Sequence, residues 1–153
     1  MSRYFTLRQA EDALPEVERH LRDALFHRAE FERAREQWDD SQQKIRMSGG
    51  MRVNPSDMLA LRARRDASAQ AMKTAMDGIE EAGAHVKDLD IGLVDFMTLY
   101  HGEEVCLCWR MGEDAIRFWH GAEEGFRGRK PIDEEFLKNH SAGGEVGEDP
   151  KTH

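Results

Sequence analysis

The N-terminal half of the chain has a hydrophobic pattern typical of a long helix that packs against a partner helix. Apolar residues recur at alternating steps of three and four residues: Leu7, Ala10, Leu14, Val17, Leu21, Ala24, Phe31, Trp38 and Ile45. Thr6 and Gln9 have the spacing of a capping box, which predicts a helix start. Pro15 has no amide hydrogen, so we expect a short first helix, a bend, and a longer second segment.

A second helix is predicted over about 56–82. Asn54 is a suitable N-cap residue, Pro55 suits the first helical position, and Gly83 suits the C-terminal cap. The apolar positions of this helix have coiled-coil spacing: Met58, Leu61, Met72, Ala75, Ile79 and Ala82. We therefore expect a long antiparallel helical hairpin over about 7–83, with its methionines and aromatic residues in core packing.

After Gly83 the pattern changes to the alternation of β-strands, with short loops between the apolar runs. In EVCLCWR one face carries Val105, Leu107 and Trp109, and the other carries Cys106, Cys108 and Arg110. In AIRFWH the residues Ile116, Phe118 and His120 oppose Arg117 and Trp119. Three or four short antiparallel strands are predicted over about 85–132.

The predicted fold class is α+β, with a coiled-coil-like helical hairpin followed by a small three- or four-stranded antiparallel β-sheet. We expect a single domain over 1–132. The segment DEEFLKNH predicts a short helical turn, and the remainder of 133–153 has the composition of an acidic disordered tail.

Charge, hydropathy and cysteine content argue against nucleic-acid binding and membrane binding. The net charge is −8, and residues 133–153 contribute two basic and six acidic side chains, which is half of the excess. The rest is nearly balanced, which argues against a surface for nucleic acid. No apolar run approaches the roughly 18 residues of a membrane span. Two cysteines are too few for a disulfide framework, so we expect a cytoplasmic protein that does not bind membranes.

The motifs KDLDIGLVDF, EVCLCWR, IRFWH and GFRGR follow an opening FTLRQAEDALP. In this order they resemble the prokaryotic family catalogued as domain of unknown function 2203, over about residues 4–132. The resemblance supports the fold and implies no activity. The family pattern falls here on Asp88, Gly92, Asp95, Cys108, Trp109, Arg110, Trp119, His120, Gly125, Phe126, Gly128 and Arg129. Cys106 departs from it, because another residue type, often aromatic, is expected there.

Cys108, His120 and Asp95 allow two chemical hypotheses. As a thiolate, a base and an orienting carboxylate they would form a nucleophilic site, but no thiol-enzyme motif accompanies them. With a metal they would supply three ligands, whereas Cys106 and Cys108 lie roughly 7 Å apart along a strand and do not suit one ion together. Core packing of the cysteines is favoured, and no catalytic residue, metal site or cofactor is predicted.

The basic segment GFRGRK allows an anion site or a structural clasp. Arg129 and Arg110, with His120, would bind a phosphate or carboxylate if they faced one cleft. Alternatively, Arg129 or Arg110 pairs with Asp88, Asp90 or Asp95 and fixes the loop to the sheet; this alternative is favoured. Nucleotide binding through a glycine-rich phosphate motif is not supported.

The leading functional hypothesis is a non-enzymatic cytoplasmic interaction module. Its helical hairpin would be the surface for a protein partner and for self-association into a dimer, and its β-segment would hold a small-anion cleft. The candidate ligand-binding residues are Asp95, Arg110, His120 and Arg129. The alternative is a small enzyme or a metal- or ligand-binding protein that uses these four residues together with Cys108.

Overall fold

A computed structural model describes residues 3–47, 49 and 54–143 of the chain. The helices are α1 (Leu7–Met47), α2 (Pro55–Glu81) and α3 (Glu134–Asn139). The strands are β1 (Ala84–Asp88), β2 (Leu93–Tyr100), β3 (Glu103–Arg110), β4 (Phe118–Gly121), β5 (Lys130–Pro131) and β6 (His140–Ser141). The predicted α+β class, with a helical hairpin followed by an antiparallel sheet, is confirmed.

Helix α1 begins as predicted but is not interrupted where expected. The Gln9 amide donates to Thr6 Oγ1 at 3.1 Å, and the Thr6 amide donates to Gln9 Oε1 at 3.0 Å, which completes the capping box. The helix then runs through Pro15, so the predicted break is wrong. Leu14 and Val17, on either side of Pro15, are buried. Burial contributes roughly 1.5–3 kcal/mol per side chain and offsets the roughly 3 kcal/mol cost of the proline.

Both ends of α2 follow the predicted capping residues. Asn54 Oδ1 accepts a hydrogen bond from the Ser56 amide at 2.8 Å. At the other end, Gly83 has a φ of +102° and donates its amide hydrogen to the Glu80 carbonyl at 3.0 Å. A Cβ at Gly83 would clash with the ring of Phe5, so glycine is required for both conformation and space.

The strands form one antiparallel sheet in the order β1-β2-β3-β4-β5, with β6 also paired to β2. Four of them correspond to the predicted strands, and the two-residue strands β5 and β6 were not predicted. Strand β4 begins at Phe118, so Ile116 and Arg117 precede it rather than belonging to it, contrary to the expected alternation. Ile116 is nevertheless buried, and its amide donates to Glu11 Oε2 at 2.9 Å.

Strand β3 is covered on both faces. All five residues from Val105 to Trp109 are buried. The alternation along β3 therefore separates two buried faces of different chemistry, not a buried face from a solvent-exposed one. One face is apolar and includes Phe96 and Leu107. The other contains the buried polar residues Asp95 and His120 together with both cysteines.

The segment after residue 132 continues the fold. Helix α3 confirms the predicted helical turn, and Asp133 caps it by accepting from the Phe136 amide at 2.9 Å. Phe136 is fully buried. Ser141, which was expected in the tail, pairs with Leu99 in the sheet. The rest of the predicted tail, 144–153, lies outside the described residues.

The chain forms two compact units. One contains the residues up to Arg19 together with those from Ile79 onward, and the other is the helical segment His20–Gly78. Helix α1 therefore contributes its first turns to the sheet unit, a division that the hydrophobic pattern does not mark. Among the described residues, no helix has the length and apolar character needed to cross a membrane.

Candidate functional site

The centre of the sheet contains a buried acid–base pair. Asp95 lies on β2 and His120 on β4, and their side chains are 0% and 3% exposed. His120 Nε2 lies 3.2 Å from Asp95 Oδ1 and 3.1 Å from Oδ2. The hydrogen-bond geometry is satisfied only toward Oδ1, so Oδ2 has no hydrogen-bond partner within the described chain. Two predicted site residues are thus brought together.

His120 has the environment of a charged imidazolium. The hydrogen bonds to Asp95 and then to Cys108 raise the pKa of His120 from 6.5 to about 10, although burial acts in the opposite direction. In this form Nε2 donates to Asp95 and Nδ1 donates to the Gly121 carbonyl at 2.8 Å. At neutral pH His120 therefore already holds the proton that a general base would have to accept.

The two cysteines lie on the same face as the pair. Cys106 is opposite His120 in the register, and Cys108 is opposite Asp95. Burial, followed by the negative charge of Asp95, raises the pKa of the Cys106 thiol to about 12, so this thiol is protonated and a poor nucleophile. The protonated state of His120 likewise disfavours the hypothesis that His120 activates Cys108.

Three side chains of this face bring atoms of metal-binding types close together. The carboxylate of Asp95, the sulfur of Cys106 and a ring nitrogen of His120 lie within 4.8 Å of one another, and all three residues are buried. The sequence had pointed to Cys108 as the sulfur ligand of such a set. The structure instead groups Cys106, the residue that departs from the family pattern.

Arg129 forms a clasp at the neighbouring end of the sheet. Its Nη2 donates to Glu113 Oε1 at 2.7 Å, and its guanidinium lies 4.1 Å and 4.8 Å from the ring centres of Phe118 and Phe126. The side chain is 11% exposed. Burial alone would lower the pKa of Arg129, but the hydrogen bond to Glu113 raises it. The predicted clasp partners Asp88, Asp90 and Asp95 are therefore wrong for Arg129, because its partner is Glu113.

Arg110 is exposed, in contrast to the buried pair. Its guanidinium is 5.8 Å from the ring centre of Phe126, and its backbone amide donates to Glu113 Oε1 at 2.8 Å. The four predicted site residues thus form two groups: Asp95 with His120 in the sheet, and Arg129 with Arg110 around Phe126. The charges of His120 and Arg129 are each matched by a carboxylate of the same chain.

Residues 3–132 match the profile of a family described as uncharacterized conserved protein (DUF2203). The chain belongs to this family. The match covers both long helices and strands β1 to β5 and ends just before α3. No functionally curated protein and no solved structure matches the chain.

Several residues that carry the DUF2203 resemblance have clear structural roles in this chain. Gly92 has a φ of +68° and closes the turn between β1 and β2. Trp109 is buried, and its Nε1 donates to the Glu113 carbonyl at 3.0 Å. Phe126 lies against Arg129. These positions of the DUF2203 pattern fix the turns and the clasp.

Sequence reasoning missed Glu113 and Cys106 as members of these two groups. Glu113 lies three residues after Arg110 in the loop MGED, a spacing that suits a side chain accepting from a turn amide. Cys106 shares its strand face with Cys108, so the alternation alone allowed either thiol to meet His120. The pairing register between β3 and β4 places Cys106 opposite His120, and Cys108 also lies within hydrogen-bonding reach of the imidazole.

Proposed function

We propose that this DUF2203 protein is a non-enzymatic interaction module whose helical hairpin associates with the hairpin of a second copy. The observation that carries this proposal is an apolar groove of about 460 Å³ in the helical unit. The buried, unpaired cysteines suit a reducing compartment, which supports a cytoplasmic setting for the module.

The wall of the groove is built from α1 and α2. Phe31 contributes an aromatic ring, Met72 and Met76 contribute flexible thioethers, and Ala69 leaves room for a close approach. Phe31, Met72 and Met76 are only partly buried, and Ala69 is exposed. Methionine side chains adapt to irregular apolar partners, so this wall suits another helix surface.

The spacing of partly exposed residues along α1 also favours a helical occupant. Leu21 and Ala24 of the predicted seam are fully buried, whereas Phe31, Trp38 and Ile45 remain partly exposed. These three residues lie seven positions apart, which is the heptad spacing of a coiled-coil contact. A second helix pair would cover apolar surface that the hairpin of one copy leaves partly open.

The rim of the groove favours a second copy over an unlike partner. It contains both signs of charge: Arg28 and Lys73 are basic, and Glu32 is acidic. In a two-fold dimer the same patch meets itself, so a mixed rim can place basic groups of one copy near Glu32 of the other, although Lys73 already pairs with Asp77 of its own copy at 2.9 Å. A partner of one dominant charge would not find this complementarity.

The exposed alanines of α2 provide a matched test. Ala69→Glu places a carboxylate in the apolar groove, whereas Ala67→Glu adds the same charge at an exposed position two residues away, outside the groove. We expect sedimentation equilibrium to show a dimer of the wild type at micromolar concentration. Ala69→Glu should raise the dissociation constant at least about tenfold, and Ala67→Glu should leave it unchanged.

Two outcomes would overturn the proposal. The first is a wild-type protein that stays monomeric up to several hundred micromolar. The second is a dimer that Ala69→Glu and Ala67→Glu affect equally, which would place the interface elsewhere. Circular dichroism of both variants checks that the helices are intact.

The geometry does not favour the small-anion cleft as a second function. His120 is 3% exposed and paired with Asp95, and Arg129 is held by Glu113. Of the three cationic side chains expected to meet an anion, Arg110 alone is exposed. An anion would have to displace an internal carboxylate to reach either of the others.

A further inference from the structure

We propose that Asp95, Cys106 and His120 form a binding site for a divalent metal ion of the zinc class. This site lies in the sheet and is independent of the association proposed for the helical hairpin.

The three ligands come from three neighbouring strands. Asp95 lies on β2, Cys106 on β3 and His120 on β4, and the pairing register brings them to one face. Their donor atoms lie within 4.8 Å of one another. A tetrahedral zinc site has roughly 3.3–3.7 Å between donor atoms, given bonds of about 2.0–2.3 Å. Small side-chain rotations on a rigid sheet would reach that geometry.

The carboxylate of Asp95 has an unused acceptor at the centre of this cluster. Asp95 is 0% exposed, and its Oδ2 atom lacks a hydrogen-bond partner in the part of the chain that the structure describes. A buried, unsatisfied acceptor is costly and rare in folded proteins. Oδ2 lies 3.1 Å from His120 Nε2 but outside hydrogen-bond geometry, so coordination to a metal ion would use an acceptor that the ion pair alone leaves without a hydrogen bond.

His120 is held in the manner of a metal ligand. Its Nδ1 lies 2.8 Å from the Gly121 carbonyl oxygen, which fixes the ring and directs Nε2 toward Asp95. Metal-binding histidines commonly donate their second ring nitrogen to a backbone carbonyl in this way. The ion would replace the proton on Nε2 and the thiol proton of Cys106, and both protons would pass to solvent.

The donor types select the class of ion. One thiolate, one imidazole and one carboxylate suit zinc and its neighbours in the first transition series, whereas magnesium and calcium prefer oxygen ligands. Three protein ligands leave a fourth position open. The thioether sulfur of Met97 lies 3.8 Å from the Cys106 sulfur and is a further soft donor near the site. Met97 is only partly buried, so solvent reaches this side of the cluster.

Cobalt substitution tests the site and its ligands directly. Metal-free, tag-free protein is titrated with Co²⁺, then with Zn²⁺ in competition, and with Mg²⁺ as a control ion. We expect one Co²⁺ per chain, with a thiolate-to-cobalt charge-transfer band in the near ultraviolet and strong visible bands of four-coordinate cobalt. Zn²⁺ should displace Co²⁺, and Mg²⁺ should not.

Cys108→Ser is the matched control for Cys106→Ser, because both remove a buried thiol from the same face of β3. We expect Cys106→Ser to lose the charge-transfer band and Cys108→Ser to keep it. Asp95→Asn should weaken Zn²⁺ binding at least about tenfold. The absence of a charge-transfer band in the folded wild type would overturn the proposal. This test does not depend on whether the variants fold. Loss of the band in Cys108→Ser alone would overturn the choice of Cys106.

Discussion

At the scale of single residues, the polar side chains of the sheet unit are used in specific pairs. Asp95 meets His120, and Arg129 meets Glu113. The sequence identified Asp95, His120 and Arg129, together with Arg110, as candidate ligand-binding residues, but it assigned the wrong partner to Arg129. Loop conformation decides that partner, because Glu113 follows β3 in a turn whose direction no local pattern specifies.

The clasp predicts a stability effect for Arg129→Ala. This substitution removes a charge-assisted hydrogen bond and two ring contacts, and it leaves Glu113, which is 23% exposed, without its cation. We expect the free energy of unfolding in urea to fall by about 1.5–3 kcal/mol. Arg127→Ala, two residues earlier at an exposed position, should change it by less than about 0.5 kcal/mol.

The same variants separate the clasp from an anion site. Millimolar phosphate should not raise the melting temperature of the wild type more than that of Arg129→Ala. A phosphate-dependent increase that disappears only in Arg129→Ala would contradict the clasp and restore the cleft.

At the scale of elements, strong periodic patterns were predicted well and short elements were not. Helix α2 has caps at both ends and begins and ends within a residue of its prediction. Helix α1 continues through Pro15 because tertiary burial of its neighbours outweighs a local preference. Strands β5 and β6 have two residues each, too few for any alternation to be visible.

Helix α3 shows how burial gives a weak segment its structure. Phe136 is fully buried, and its ring centre lies 4.8 Å from that of Tyr100 and 4.9 Å from that of Trp119. Phe136→Ala should therefore lower the free energy of unfolding by about 3–5 kcal/mol, although the residue lies beyond the family match. Urea unfolding followed by circular dichroism measures this effect.

Leu137→Ala is the control for that prediction. Leu137 is the next residue of α3 and is 45% exposed, so its truncation should cost no more than about 0.5 kcal/mol. Equal effects of the two substitutions would mean that α3 does not bury Phe136 in solution.

At the scale of the whole molecule, two features oppose each other in the proposed dimer. The apolar groove favours association, since covering Phe31, Met72 and Met76 removes apolar surface from water. The net charge of −8 on each copy opposes it by long-range repulsion, although half of that excess belongs to residues 133–153, outside the helical unit. The apolar pattern of the helices and the net charge are both visible in the sequence. The groove is not, because it depends on how α1 and α2 are placed side by side.

This balance predicts how salt changes the dimer. The screening length falls from about 30 Å at 0.01 M salt to about 8 Å at 0.15 M, which weakens repulsion between the two acidic copies and leaves the apolar contact intact. The dissociation constant from sedimentation equilibrium should therefore decrease by about two- to tenfold over this range. Sucrose at matched osmolality controls for general solute effects. A dissociation constant that rises with salt would mean that charge pairs across the rim, with Glu32 as the acidic member, drive association more than the groove does.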